Sequence, residues 1–495
     1  MKPQPRVQAT LKKDNTRTIL VIGVVILFIQ LAFHLTLGAT PRVKISLQRA
    51  DSLSAQLNLQ LDNQEVLRQL NFPNSVKRFY ANTGGEISWL LQPEKIGPTL
   101  SAMLLLDCVR QFGLQRENYH PEILNYEGMY NVTSPKNLVS LAKKIEFEIM
   151  LTDAMISMIN HLHYGAYNPN LIGSSIDSGL TKGLKAEDFL KTVANNSNLM
   201  DSILTVQPKI DQYRQLQGYM KLIAGQYVCD SYETPEEEIR KITINMERLR
   251  WANMDKEAYI HVNIPSFELS YHLPDSTYKF KVVIGKPITP TPTLSSAIYL
   301  IESAPDWNVP AQIFIKELLP KAAKDNAFFE NNHMAVYDRS ESIVAINPTS
   351  IALIKANPKH YHLRQSAGCD NALGKVVFRF SNTYGVYLHD TPEQFYFKRE
   401  TRALSHGCIR VENADKLGRL LLTNDNQNKR IGLLNAAMAE YAKKQFLLSN
   451  PVPIIITYLT YTVKDGLLVN HADIYNLDGP LTQQLYGPIE QLSKN

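Results

Sequence analysis

Two segments of this 495-residue chain hold residue types that could do covalent chemistry together: Tyr387-Leu388-His389-Asp390-Thr391-Pro392 and Ala403-Leu404-Ser405-His406-Gly407-Cys408-Ile409-Arg410-Val411. A thiol with a reference pKa of about 8.5 is a poor nucleophile at neutral pH and needs a base or a cation to become a thiolate. An imidazole supplies both, so Cys408 is the candidate nucleophile and His389 its candidate base. Gly407 leaves the backbone beside the sulfur uncluttered, and amide N–H groups there can point at an oxyanion, as acyl transfer requires. Asn413 is placed to cap a helix from Ala414 to Leu422, whose N-terminus would add positive potential near the sulfur. On residue types alone the pair is weak evidence, because most His and Cys nineteen positions apart never meet. A buried inert cysteine and a hydrogen-bonded core histidine are the alternatives, and His406 fits a structural role in the turn as well as support of a site.

The other cysteines are Cys108, Cys229 and Cys369, and no pair has CxxC spacing. His389, His406, Cys408 and Cys369 match no usual zinc pattern, so no metal site is expected. Cys369 reads as a packing residue. Cys108 and Cys229 are read as unpaired, although spacing alone does not decide it.

Two kinds of element must position these residues. From about 43 to 230 the pattern is helical. Leu138, Leu141, Ile145, Ile149, Ala154 and Met158 recur at helical spacing between the start signal Ser134-Pro135 and Gly165. Further helices are expected over Leu100–Phe112, stopping at Gly113, and from Ile210 to Ala224. A hinge follows at Tyr232–Pro235, where Thr234-Pro235-Glu236-Glu237 opens another helix. After Trp251 the period changes to short β-branched and aromatic runs: Tyr259–Ile264, Phe267–Tyr271, Tyr278–Ile284, Ile298–Ile301, Ile343–Ile346, Val376–Phe380 and Pro453–Tyr461. This predicts a mostly-β domain over 234–480, with an insertion at about 304–340 that carries some helix (Ile313–Leu319), and a tail over 481–495. The fold class is therefore α+β.

The chain is 44% hydrophobic and 20% charged, an ordinary globular balance. Its net charge of +5 is concentrated in residues 1–17, where five Lys and Arg against Asp14 give +4. About +1 remains for everything else, too little for a nucleic-acid partner. Residues 18–39 carry no charged side chain. As a helix they would span roughly 33 Å against a hydrocarbon core of about 30 Å. The basic flank places 1–17 in the cytoplasm and the rest outside: a single-pass inner-membrane anchor with periplasmic domains. A cleaved signal peptide is the competing reading, but Leu37 sits where a cleavage site wants a small residue.

A histidine, about fifteen residues and then S-H-G-C resembles the signature of the L,D-transpeptidase catalytic (YkuD-type) domain. The resemblance extends to Arg364-Gln365-Ser366-Ala367-Gly368, Asn371-Ala372-Leu373-Gly374 and Phe378-Arg379-Phe380. It extends also to Val262-Asn263-Ile264-Pro265 and to Trp307-Asn308-Val309-Pro310, similar to the capping insertion of the large, scaffold-bearing (YcbB-like) members. Val76-Lys77-Arg78-Phe79-Tyr80 and Leu151-Thr152-Asp153-Ala154 fit their helical scaffold. The resemblance implies that Cys408 forms an acyl-enzyme, that His389 takes its proton, and that the Asp390 carbonyl orients the imidazole. It implies an oxyanion site at the N–H groups of Gly407 and Cys408. Ser405, His406 and Arg410, with Tyr387 and Arg364, would shape the donor pocket. The implied activity is 3→3 cross-linking of peptidoglycan stem peptides, without a cofactor, inhibited by carbapenems; cell-wall synthesis proteins are the expected partners. A same-fold hydrolase, ligase or D-amino-acid exchanger, and a non-catalytic wall scaffold, are the rival readings. Two departures stand out. Arg410 replaces the narrow consensus Asn, which points to an ion pair or to recognition of a carboxylate. Only about ten residues (226–235) fill the place of the small peptidoglycan-binding module.

Overall fold

A computed structural model describes residues 53–90, 96–134, 139–196, 198–225, 236–252 and 256–487. The basic terminus, the uncharged run over 18–39, Cys229 and the hinge at 232–235 lie outside them. Among the described residues no helix is long and apolar enough to cross a membrane.

The first half is helical around one core. Its centre is α1 (Leu141–Tyr164), capped by the Ser140 side chain and closed at Gly165. The expected start at Ser134-Pro135 adjoins residues 135–138, which are not described; the observed cap is Ser140. The buried side of α1 carries Glu148 and Asp153 among its apolar residues, and both carboxylates bind loop amides. Glu148 accepts from Ser88 N at 2.6 Å and Trp89 N at 3.0 Å. Asp153 accepts from Asn71 N at 3.0 Å and Phe72 N at 2.9 Å. Charge-assisted bonds to otherwise orphaned N–H groups explain why a core helix tolerates them. The helix expected to stop at Gly113 ends earlier, at Asp107. A 3₁₀ turn (Val109–Phe112) completes it, and Gly113 then takes a left-handed conformation.

The two halves meet along α2 (Asp211–Gly225) and α3 (Glu236–Trp251). Tyr213, Leu216 and Met220 share a core with Ile242, Met246 and Leu249 and with Ile455 and Leu459 from the β domain. Gly165 sits at this seam with φ +87°; a Cβ there would lie 2.6 Å from Glu247 Oε1 and 2.7 Å from the Trp251 ring. Only glycine permits that approach.

In the β domain, β1 (Tyr259–Asn263), β2 (Glu268–Leu273), β3 (Ser276–Gly285), β4 (Leu294–Ser303), β9 (Val376–Phe380), β10 (Leu388–His389), β11 (Ala403–Ser405), β12 (Ile409–Val411) and β13 (Lys444–Thr457) form one sheet. Its order is β11-β3-β12-β10-β9-β4-β13-β1-β2, and β2 also pairs with β3, which closes the sheet on itself. Inward alternate residues such as Phe280, Ile298, Phe378, Leu388 and Ile409 fill the interior with Leu417 and Leu421 from α4 (Ala414–Asn424). The insertion is a separate four-stranded sheet in the order β5-β8-β6-β7: β5 (Trp307–Val309), β6 (Met334–Tyr337), β7 (Ile343–Val344) and β8 (His362–Gln365). It has its own core of Val309, Phe314, Leu319, Val336 and Leu363, and it continues past the expected end at 340. The segment expected as a tail begins inside a helix, Asp478–Tyr486, whose Leu481 and Leu485 pack on Ile244 of α3.

Candidate active site

Strand register places the chemistry. β10 and β12 run parallel with Leu388 opposite Ile409 and His389 opposite Arg410. β9 is antiparallel to β10, with Phe378 opposite Leu388. Because side chains alternate, Leu388, Ile409 and Phe378 point into the core, and His389, Arg410 and Arg379 occupy the other face. Tyr387 and Cys408, one residue before each strand, join that face. The Tyr387 and His389 rings meet edge to face at 5.7 Å between centroids.

The imidazole is buried, and its Nδ1 lies 2.5 Å from the Asp390 carbonyl oxygen. A carbonyl only accepts, so Nδ1 carries the proton and Nε2 keeps the lone pair a base requires. Burial, then the Arg410 charge, holds the His389 pKa down at about 3, against the carbonyls of Asp390 and Leu373. Burial pushes the Cys408 thiol up. Hydrogen bonds to the sulfur from the Tyr387 N–H and hydroxyl, and the charges of Arg379 and Arg410, offset part of that rise. Cys408 Sγ also contacts the Gly385 carbonyl at 3.9 Å. Both groups are therefore neutral at pH 7. At the sulfur, desolvation outweighs the surrounding donors and cations and favours the thiol. The two side chains form no direct hydrogen bond; they sit diagonally across paired strands with Tyr387 touching both.

The turn before the cysteine is tied down from several sides. Gly407 has φ +114°. Its N–H donates to Ser405 Oγ at 3.1 Å, and that hydroxyl donates to the Cys408 carbonyl at 2.6 Å. The Gly407 N–H expected to serve an oxyanion is thus engaged by the Ser405 hydroxyl in this resting site, and the Cys408 N–H has no backbone acceptor among the described residues. Ser405 is buried and braces the turn instead of lining a pocket. Thr291 donates its hydroxyl to the Gly407 carbonyl at 2.7 Å and accepts from Gly285 N at 2.9 Å. His406 Nε2 lies 2.7 Å from Glu317 Oε1 of the insertion. Arg410 pairs with Glu393 at 2.5 Å and lies 5.3 Å over the Tyr396 ring, so its guanidinium is an ion-pair partner. Arg364 lies in the insertion, opposite Asn308 and next to Gln365, which pairs with Trp307. On β8 it binds Asn308 Oδ1 and Glu341 Oε2, each at 3.2 Å, and it covers the Tyr337 ring.

Asn413 occupies the expected N-cap position of α4, but its side chain makes no cap hydrogen bond. Its backbone is left-handed at φ +52°, which turns the side chain away, and its own carbonyl accepts from Lys416 N at 2.9 Å. The helix start opens into a separate cavity of about 470 Å³ lined by Cys369, Asp390, Thr391 and Asp415, away from the sulfur. Cys108, Cys369 and Cys408 are free thiols. Among the described residues no three His, Cys, Asp or Glu converge to hold a metal ion.

Residues 257–426 match the L,D-transpeptidase catalytic domain family (YkuD), and residues 74–220 match the Scaffold domain family. The chain carries an L,D-transpeptidase catalytic domain behind a scaffold domain. A Haemophilus influenzae protein provisionally assigned as an L,D-transpeptidase is 31% identical over 292 residues. That match covers 59% of this chain and 57% of the relative, so the chain spans little more than half of the protein it resembles. Among solved structures, an L,D-transpeptidase from Mycobacterium smegmatis is 15% identical at a TM-score of 0.18, covering 41% of this chain and 60% of its own. A cysteine-to-serine variant of the Enterococcus faecium L,D-transpeptidase is 12% identical at 0.19, covering 43% and 62%.

Within the L,D-transpeptidase domain, His389, Cys408, Tyr387 and Arg410 converge with residues that motif reading missed as site groups. Arg379 covers the Tyr387 ring at 5.1 Å and pairs with Glu302 at 3.1 Å. Trp307 hydrogen-bonds the Tyr387 hydroxyl. The alternation Val376-Val377-Phe378-Arg379-Phe380 carries a signal for Arg379, a lone charge on a strand's second face. Glu317 and Glu393 have no such signal, since only long-range folding brings them near.

Proposed function

We propose that this protein is a cysteine-nucleophile acyltransferase that makes 3→3 cross-links between peptidoglycan stem peptides. The observation that carries the reading is the Cys408 sulfur. It lies under two Tyr387 donors and beside Arg379 and Arg410, on the sheet face that presents a neutral, tautomer-fixed His389. A buried sulfur gains from donors and cations aimed at it only when it becomes charged or attacks a carbonyl.

The thiol attacks the carbonyl of the third residue of a tetrapeptide stem. His389 Nε2 takes the Sγ proton as the C–S bond forms, and the pair closes up around bound substrate. The Cys408 N–H and the Tyr387 hydroxyl face the developing oxyanion. The proton then passes from His389 to the departing D-Ala amine, leaving a thioester. An amine from a second stem attacks that thioester, His389 takes its proton, and the thiol is regenerated. The insertion sheet, joined to the site through Trp307 and Glu317, keeps water from competing. A carbapenem would acylate the same sulfur. The uncharged run over 18–39 supports a single-pass anchor that holds the domain near its polymer and near other wall-building proteins.

Incubation of the full-length protein with disaccharide-tetrapeptides, read by mass spectrometry, tests this. The expected products are free D-Ala and dimers joined through third residues, with neither from Cys408→Ala. Tripeptides alone would mean a hydrolase on the same fold, and D-Ala release by Cys408→Ala would sink the assignment.

A further inference from the structure

The insertion reaches the nucleophile by two separate routes. Trp307 at the start of β5 hydrogen-bonds the Tyr387 hydroxyl, which hydrogen-bonds the Cys408 sulfur. The second route begins at Glu317. Residues 311–322 are helical, but a π-turn occupies Phe314–Leu318. Pro320 supplies the reason. It has no N–H for the Lys316 carbonyl and its ring crowds that oxygen, so the helix widens ahead of it. Phe314 and Leu319, at the two ends of the turn, are buried in the insertion's core, which fixes the bulge in place. Glu317 sits in the widened turn, half-exposed, with Oε1 2.7 Å from His406 Nε2. His406 is followed by Gly407, whose φ of +114° few side chains would accept, and then by Cys408.

We propose that Glu317 is a positioning residue for the nucleophile: through His406 it clamps the turn that carries Cys408, so the sulfur is shielded and aligned under Tyr387 only while the insertion is seated. The π-turn, a local departure caused by one proline, aims the carboxylate at the histidine. Ser405 and Thr291 brace the turn from within the barrel, and Glu317 is its brace from the insertion. The consequence for transfer rests on reading Cys408 as the nucleophile; the mechanical claim does not.

The test measures alkylation of Cys408 by iodoacetamide in the full-length protein, with exposed Cys369 as the reference in the same molecule. Glu317→Gln, His406→Gln and the double variant are compared with wild type, and equal thermal midpoints establish that each is folded. Each single variant is expected to alkylate Cys408 about fivefold faster or more, with Cys369 unchanged and D-Ala release slowed by a similar factor. The double variant is expected to be no faster than either single one, since both remove the same contact. A Cys408 rate in Glu317→Gln within about twofold of wild type, or additive effects in the double variant, would overturn the proposal. If wild type releases no D-Ala at all, the transfer reading fails while the alkylation comparison still decides the clamp.

Discussion

His389 and Cys408 are pushed in opposite directions by the same cause. Desolvation lowers the imidazole pKa to about 3 and raises the thiol, so the pair rests as two neutral groups. A base of this kind is unprotonated throughout the physiological range, and proton transfer must accompany attack. Single-turnover acylation is therefore expected to be flat from about pH 5 to about pH 8. A limb with a midpoint near the ordinary histidine pKa of about 6.5 would contradict this. His389→Ala is expected to slow acylation by about 10²–10⁴-fold at every pH in that range. The same shift bears on stability. The unfolded chain binds a proton near pH 6.5 that the buried imidazole refuses until about pH 3, so stability is lost as the pH falls through that window. His261 at about 3 and His161 at about 4 add in the same direction.

At the scale of elements, the site depends on strands only two or three residues long. β10 and β12 are too short to stand out as periodic runs, yet their register decides that His389 and Arg410 share a face. The S-H-G-C motif marked His389 and Cys408 as the candidate pair because those residue types in that order are rare. The brace around the turn was not legible. Thr291 lies in a proline-rich loop 116 residues before Gly407, and no local pattern marks a contact of that separation. Asn413 misled for the converse reason: it is a strong cap residue, but tertiary context put its backbone in the left-handed region. Thr291→Val keeps the shape and removes the hydroxyl, leaving the buried Gly285 N–H and Gly407 carbonyl unpaired. Its expected effect is about 1–3 kcal/mol of stability, a fall of several degrees in Tm, together with slower acylation. An unchanged midpoint would mean that the turn holds itself.

Across the whole molecule, scaffold and catalytic domain are joined by a buried charge network. Arg250 and Glu247 of α3, both fully buried, pair at 3.1 Å. Arg250 also binds the Tyr213 hydroxyl at 3.0 Å and the Phe112 carbonyl, and Glu247 accepts from Tyr167 N at 2.7 Å. The periodicity of α3 was readable from Ile239, Ile242, Met246 and Leu249, but nothing in the sequence separates a buried guanidinium from a solvated one. Removing one partner of such a pair strands the other. Glu247→Gln is expected to destabilise the protein by about 3–5 kcal/mol, in contrast to the small effect of Glu237→Gln on the exposed part of the same helix. Equal thermal midpoints for the two variants would show that the network does not join the domains.

The central claim is that Cys408 becomes covalently attached to a stem peptide. Full-length protein mixed with disaccharide-tetrapeptide and quenched in acid within the first turnover should carry the mass of the donor less D-Ala, and peptide mapping should place it on Cys408. An adduct on another residue, or D-Ala release with Cys408 still unmodified at every time sampled, would contradict the account.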